Sequence, residues 1–158
     1  MLKRVAGVIA ITALAISCGS GSGDFTLSNA TVDPNHACAS GATNAPYNIL
    51  VTVDSHNGRS SSVSIRNVSA VLKLAAVHGG WLQPVGYEYD ARNLAFAPDH
   101  VAAGASATLT VTVPSACTNK SSSGGPVSYA DYSVAVTVAT SAGTFKIGAR
   151  NKHRLIAA

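Results

Sequence analysis

A chain of 158 residues, 47% hydrophobic and 11% charged, is sized for one domain with a full core. The net charge of +4 includes Lys3 and Arg4 near the start, so the remainder carries only +2. That excludes nucleic acid as a partner, which calls for a dense basic stripe with interleaved aromatics. The one local excess is Arg150, Lys152, His153 and Arg154 at the end.

Residues 1–17 have the parts of a signal peptide. Lys3 and Arg4 form a positive start, and Val5 to Ile16 is a largely apolar run too short to span a bilayer. The run ends in Leu14-Ala15-Ile16-Ser17-Cys18, which resembles a bacterial lipobox. The resemblance implies cleavage before Cys18 and a lipid on that cysteine. Ala15 and Ile16 depart from the commonest lipobox residues, and an ordinary cleaved secretion signal is the alternative. Gly19 is not the aspartate linked to inner-membrane retention, so the resemblance points to the outer membrane or cell surface. Gly19 to Gly23 is a Gly/Ser tether with a reach of about 12 Å. Three cysteines are odd for an exported protein. With Cys18 assigned to lipid, Cys38 and Cys117 remain, and in an oxidising compartment they pair.

From Asp24 onward the chain is rich in Val, Thr, Ser and Gly, with no sustained helical period. A first strand covers Asp24–Asp33, and Pro34–Ala45 reads as loop. Tyr47, Ile49, Val51 and Val53 alternate in a second strand, Pro46–Asp54. Ser55–Arg59 is a turn around Asn57-Gly58. Ser62–Val77 changes phase: Val63 and Ile65 are odd-numbered, whereas Val68, Ala70, Leu72 and Leu74 are even. One period-two strand cannot do that, so either a β-bulge at Arg66–Asn67 or a break into two strands is expected. His78–Arg92 is a long connection in which Tyr87 and Tyr89 suggest a short edge strand. Asn93–Ala97 is a short strand, Asp99–Gly104 a turn, and Ala105–Val113 a strand with Leu109, Val111 and Val113 inward. Pro114–Ser128 is loop. Tyr129–Thr140 and Thr144–Ala149 form the last two strands, followed by a short basic tail.

About seven strands with regular turn signals resemble an immunoglobulin or fibronectin-III-like β-sandwich. Tyr132-Ser133-Val134-Ala135-Val136 resembles the penultimate strand of such domains, where a tyrosine bonds nearby backbone. Two departures stand: Cys117 precedes Tyr132, and Trp81 lies in a loop. The expected organisation is therefore a signal peptide (1–17), a lipidated cysteine and tether (18–23), and one all-β domain (24–158).

Strands that alternate in direction put the first, third and fifth connections at one end. Cys38 lies in the first and Cys117 in the fifth. Their pairing fits a bulge near Asn67, because a break there would put the two cysteines at opposite ends. The long loops and the tail then collect at the end away from Cys18, where function is expected.

No G-x-S-x-G, H-E-x-x-H, S-x-x-K or phosphate-binding glycine loop occurs, so a non-enzymatic binding or structural role is expected. No cofactor is implied. His36, His78 and His153 would share the far end, but they lack ligand spacing and read as ordinary loop residues rather than a metal site. Trp81 either plugs the end of the core or joins Tyr87 and Tyr89, flanked by His36 and His78, in a binding surface. The expected partners are the membrane, through Cys18, and an envelope protein or glycan. A metal- or ligand-binding accessory subunit, or a secreted sandwich, are the alternatives. If the lipobox is used, the sequons at Asn29, Asn67 and Asn119 are coincidence in a Ser/Thr-rich chain.

Overall fold

Alternating apolar residues build almost the whole described chain, residues 23–120 and 127–157 of a computed structural model, into strand. In order these are β1 (Phe25–Val32), β2 (Asn35–Cys38), β3 (Ala45–Asn57), β4 (Val63–His78), β5 (Glu88–Ala91), β6 (Ala95–Ala97), β7 (His100–Val101), β8 (Ser106–Cys117), β9 (Ser128–Thr140), β10 (Gly143–Gly148) and β11 (His153–Ala157). No helix occurs among the described residues. Residues 1–17, Cys18 and most of the tether lie outside the described residues, as does the middle of the Pro114–Ser128 connection.

One sheet has the order β1-β3-β8-β6, and the other β2-β11-β9-β4-β5, with β10 also on β9 and β7 on β4. The first order is A-B-E-D of an immunoglobulin-like sandwich, and the second contains its C-F-G sheet. The expected seven positions are present. The last is shared by β10 and β11, which pair in succession with the two halves of β9. β2, β5 and β7 are short additions at the edges.

Side-chain alternation explains the core. Ile49, Val51 and Val53 of β3 are fully buried beside Val113, Val111 and Leu109, their register partners on β8. They face Val68, Ala70 and Leu72 of β4 and Val134, Val136 and Val138 of β9. Branched side chains pack well on a pleated surface buried on one face. The phase change in β4 is a bulge: the register with β9 shifts between Ile65 and Asn67, so one strand continues. A second shift lies between Leu74 and Ala76, where sequence alone shows no phase signal.

Several boundaries differ from expectation; the Asp99–Gly104 turn, for one, contains β7, paired with β4. The Pro34–Ala45 connection contains β2, which pairs in parallel with β11. The first three residues of the expected turn at Ser55–Arg59 are the end of β3, with Ser55 and Asn57 buried, and the turn itself lies at 58–62. β8 runs past Pro114 to Cys117. The basic tail is strand β11, with His153, Leu155 and Ala157 inward and buried and Arg154 outward. Arg154 is held there by two bonds to the Asp131 carboxylate, at 2.7 and 3.0 Å. The gap between β10 and β11 is pinned to the other sheet. The Asn151 amide accepts from Val32 N–H (2.9 Å) and donates to Val32 C=O (2.6 Å).

Cys38 and Cys117 form a disulfide with Cα atoms 6.0 Å apart. The bond joins β2 of one sheet to β8 of the other, at the end of the sandwich rather than across its centre. Phe25 pairs with Asn57, so the chain enters at the opposite end, beside the turn at 58–62. The connections after β1, β4 and β8, and the end of β11, share the disulfide's end.

Candidate functional site

At the disulfide's end the two sheets part along the edge formed by β5 and β8. Pairing in β8 shows why. β6 covers only Thr110 to Thr112. Pro114 stands opposite Asn48 and has no N–H, so that pair exchanges no ladder bonds. Backbone groups of Pro114 and, by alternation, Ala116 therefore point away from β3, toward the open edge. Tyr89 O–H donates to the Pro114 carbonyl at 3.4 Å, linking the two sheets across the gap.

The result is a cleft of two adjoining hollows. The first, about 440 Å³, is lined by Asn44, Tyr47, Leu72, Gln83, Tyr87, Tyr89, Pro114, Ser115, Ala116, Tyr132 and Leu155. The second, about 420 Å³, shares Asn44, Gln83, Ala116, Tyr132 and Leu155 and adds Trp81, Leu82 and the disulfide rim at Cys117. Leu72 is buried and paired with Tyr89, so strand geometry sets Tyr89 on the inward face over the hollow. Tyr87 is held one step along by Leu74, whose N–H donates to the Tyr87 carbonyl at 2.9 Å.

Trp81 unites both expected roles. Its half-buried ring packs on the cluster of Cys38, Cys117 and Leu155, and so plugs the end of the core. It also forms a wall of the second hollow. Its indole N–H donates to the Tyr132 hydroxyl at 3.3 Å. Tyr132 thus bonds a side chain, not the nearby backbone expected of a tyrosine at that strand position. Burial raises the Tyr132 pKa, and the Trp81 bond offsets this only in part. The phenol stays protonated, with its own hydrogen to donate.

Tyr47, which lines the first hollow, belongs to an aromatic stack behind it. His36 lies flat on Tyr47 (3.9 Å between centroids, 5° between planes), and Tyr47 stacks on buried His153 at 5.9 Å. The Asp33 carbonyl lies 2.8 Å from His153 Nδ1, which must be the protonated nitrogen. Nε2 is then the acceptor for the Tyr47 hydroxyl at 3.5 Å. Burial lowers the His153 pKa more than the Asp33 carbonyl raises it, and burial raises that of Tyr47. Both groups are neutral near pH 7, so Tyr47 is an uncharged part of the hollow's lining.

Of the expected surface, Trp81, Tyr87 and Tyr89 meet around the cleft, and His36 flanks it through Tyr47. His78 does not join them. It stacks on Tyr129 on the outer face at 4.8 Å, with the Arg154 guanidinium 4.1 Å from the same ring. The three histidines weighed as a metal set are therefore not gathered, and no group of three or more His, Cys, Asp or Glu forms among the described residues. Sequence reading missed Asn44, Gln83 and Ser115, took Tyr47 only as an inward strand residue, and took Tyr132 as an inward tyrosine bonded to nearby backbone. Their one signal was an inward tyrosine at the strand end nearest the cysteines. The sequon residue Asn119 is buried and donates to the Cys38 carbonyl at 3.0 Å. No protein family matches the sequence, and no curated protein is significantly similar to it.

Proposed function

We propose that this is an exported lipoprotein, anchored to the outer membrane or cell surface through Cys18, which acts by binding rather than by catalysis. The carrying observation is polarity. The chain enters the sandwich at one end, and the aromatic cleft opens at the other. A lipid on Cys18 followed by a short tether sets the entry end toward the membrane and presents the cleft to the surroundings. The buried Cys38–Cys117 disulfide supports an oxidising compartment. The non-catalytic reading is supported by the site's chemistry: burial raises the pKa of the Tyr47 and Tyr132 phenols, and neither a carboxylate nor an imidazole stands among the described lining residues.

Two measurements test the two halves. A radiolabelled fatty acid is expected on the wild type and absent from Cys18→Ala. No label on the wild type would make the protein a secreted sandwich. A photo-crosslinker at Tyr87 is expected to give adducts on intact cells that the same group at Ser60, in the exposed turn at the entry end, does not. Equal labelling from both positions would refute binding at the cleft end.

A further inference from the structure

We infer that the cleft binds a neutral saccharide chain. This rests on the proposed binding role and names its ligand class. None of the eleven described residues lining the first hollow is charged. The first hollow therefore holds no counter-ion for an anionic or cationic ligand, and desolvating an unpaired charge there would be unfavourable; Lys120, on the second hollow, is the one charged residue among the described linings of the two. The walls combine flat apolar rings with amides and hydroxyls, the mixture that matches a sugar ring. The C–H faces of a pyranose lie on aromatic rings, and its hydroxyls exchange hydrogen bonds with amides and phenols. Tyr87 and Tyr89 are 47% and 42% exposed, although large apolar side chains usually turn inward. Gln83 and the remaining O–H of Tyr132 supply hydrogen-bonding groups inside.

The main rival occupant is an extended peptide added to the β8 edge. That mode needs a row of alternating N–H and C=O groups. Here Pro114 removes an N–H from the row, and Tyr89 occupies the Pro114 carbonyl. The edge is closed to strand addition while the cleft beside it stays open. Two adjoining hollows, each within the roughly 300–1,000 Å³ of small-ligand sites, suit more than one ring in succession.

Trp81, the chain's single tryptophan, lines the second hollow and so reports on the site alone. The full chain is titrated with N-acetylglucosamine tetrasaccharide, cellotetraose and maltotetraose, with polygalacturonate as the charged comparison. Trp81 emission is read alongside calorimetry, so that an unresponsive indole does not hide binding. At least one neutral saccharide is expected to saturate the protein. Tyr87→Ala and Tyr89→Ala should each weaken it about tenfold, the loss of ~1.4 kcal/mol. Tyr87→Phe, which keeps the ring, should stay within about threefold. Both positions are exposed, so urea unfolding should confirm that the variants fold. No saturation by any neutral saccharide to about 10 mM, where binding free energy is below ~3 kcal/mol, would overturn the inference. So would preference for polygalacturonate, or undiminished binding by the two alanine variants. If saccharides fail while Tyr87 crosslinks to a protein on cells, the ligand class falls and the binding role survives.

Discussion

Asn57 is the residue at which the entry end is most exposed to a test. Its side chain is fully buried, yet it sits in a strand-to-turn junction among backbone carbonyls. Nδ2 donates to the carbonyls of Ser61 (2.9 Å), Val101 (3.0 Å) and Ala102 (3.1 Å), and Oδ1 accepts from Arg59 N–H (3.1 Å). One amide thereby ties the turn at 58–62 to β7. In Asn57→Ala the buried bond to Val101 is lost, at about 1–1.5 kcal/mol, because Ser62 Oγ still donates to that carbonyl at 3.3 Å. The other three bonds are partly buried, at about 0.5 kcal/mol each or somewhat more. The total is about 3 kcal/mol, against the ~5–15 kcal/mol of a whole domain. Asn57→Asp keeps the shape and reverses the chemistry. A carboxylate would face three carbonyls, so its pKa rises above the unfolded value of about 3.9, and only the protonated form can donate. A group with a raised folded pKa gives its full stability below the unfolded pKa and loses it as pH rises through the folded one. The deficit relative to wild type should therefore be largest near pH 7 and shrink toward pH 4. Urea unfolding of the three proteins across that range checks both claims. A loss under about 1 kcal/mol for Asn57→Ala, or a deficit in Asn57→Asp that does not narrow on acidification, would refute the reasoning.

Removing the disulfide by Cys38→Ala with Cys117→Ala frees a loop closed over 79 residues, and chain entropy sets the loss at roughly 4–5 kcal/mol. A urea-midpoint change equivalent to less than about 1 kcal/mol would show that β2 and β8 hold that end without it. His153 has a folded pKa below its unfolded value of about 6.5, so its stability is present above that pH and lost as pH falls through it. Asp131 beside Arg154 is lowered as well, and its stability is lost only below the ordinary carboxylate value near 3.9. His153→Gln should accordingly flatten the decline below pH 6.5 while leaving the acid limb in place; an unchanged profile would count against a neutral buried imidazole. Gly79 has φ of 76°, and a Cβ there would meet the Ser128 side chain. Gly79→Ala should cost about 1–2 kcal/mol by thermal unfolding, and an unchanged Tm would remove the claim that this junction is strained for other residues.

The sandwich was legible wherever a strand buries one face. Odd-numbered Val51, Val53, Leu109, Val111 and Val113 mark their strands directly, and the odd-to-even switch between Ile65 and Val68 marks a bulge that the register bears out. The second bulge was not legible, because Ala75, Ala76 and Val77 are apolar in both phases. β11 carried its alternation in His153, Leu155 and Ala157, but Arg150, Lys152 and Arg154 surround it and resemble a solvated end. What makes it a strand is pairing with β9 and β2, which no local pattern encodes. Asn57 shows the same confusion at one residue. Asn before Gly marks a turn by its backbone preference, and the same amide can serve as a buried clamp; only the surrounding carbonyls separate the two.

The cleft follows from a rule about edges rather than from any motif. A sandwich must protect its open strands, and here Pro114 blocks pairing on β8 just beyond the point where β6 ends. With no strand to continue the sheet there, nothing covers the gap between β8 and β5, and the inward residues at that height meet solvent. Those residues are Tyr47, Tyr132 and Tyr89, which carry hydroxyls where the centre of the core carries valine and leucine. The change from aliphatic to phenolic side chains along β3 and β9 therefore follows the depth of the sandwich. Sequence order shows the tyrosines, and the parting of the sheets at the proline shows why they are tyrosines. Pro114→Val should restore the missing N–H and extend strand character across the edge. If that variant lost saccharide binding while gaining thermal stability or self-association, the proline would be confirmed as what keeps the cleft open. If it changed neither, the opening would have to be assigned to the loops instead.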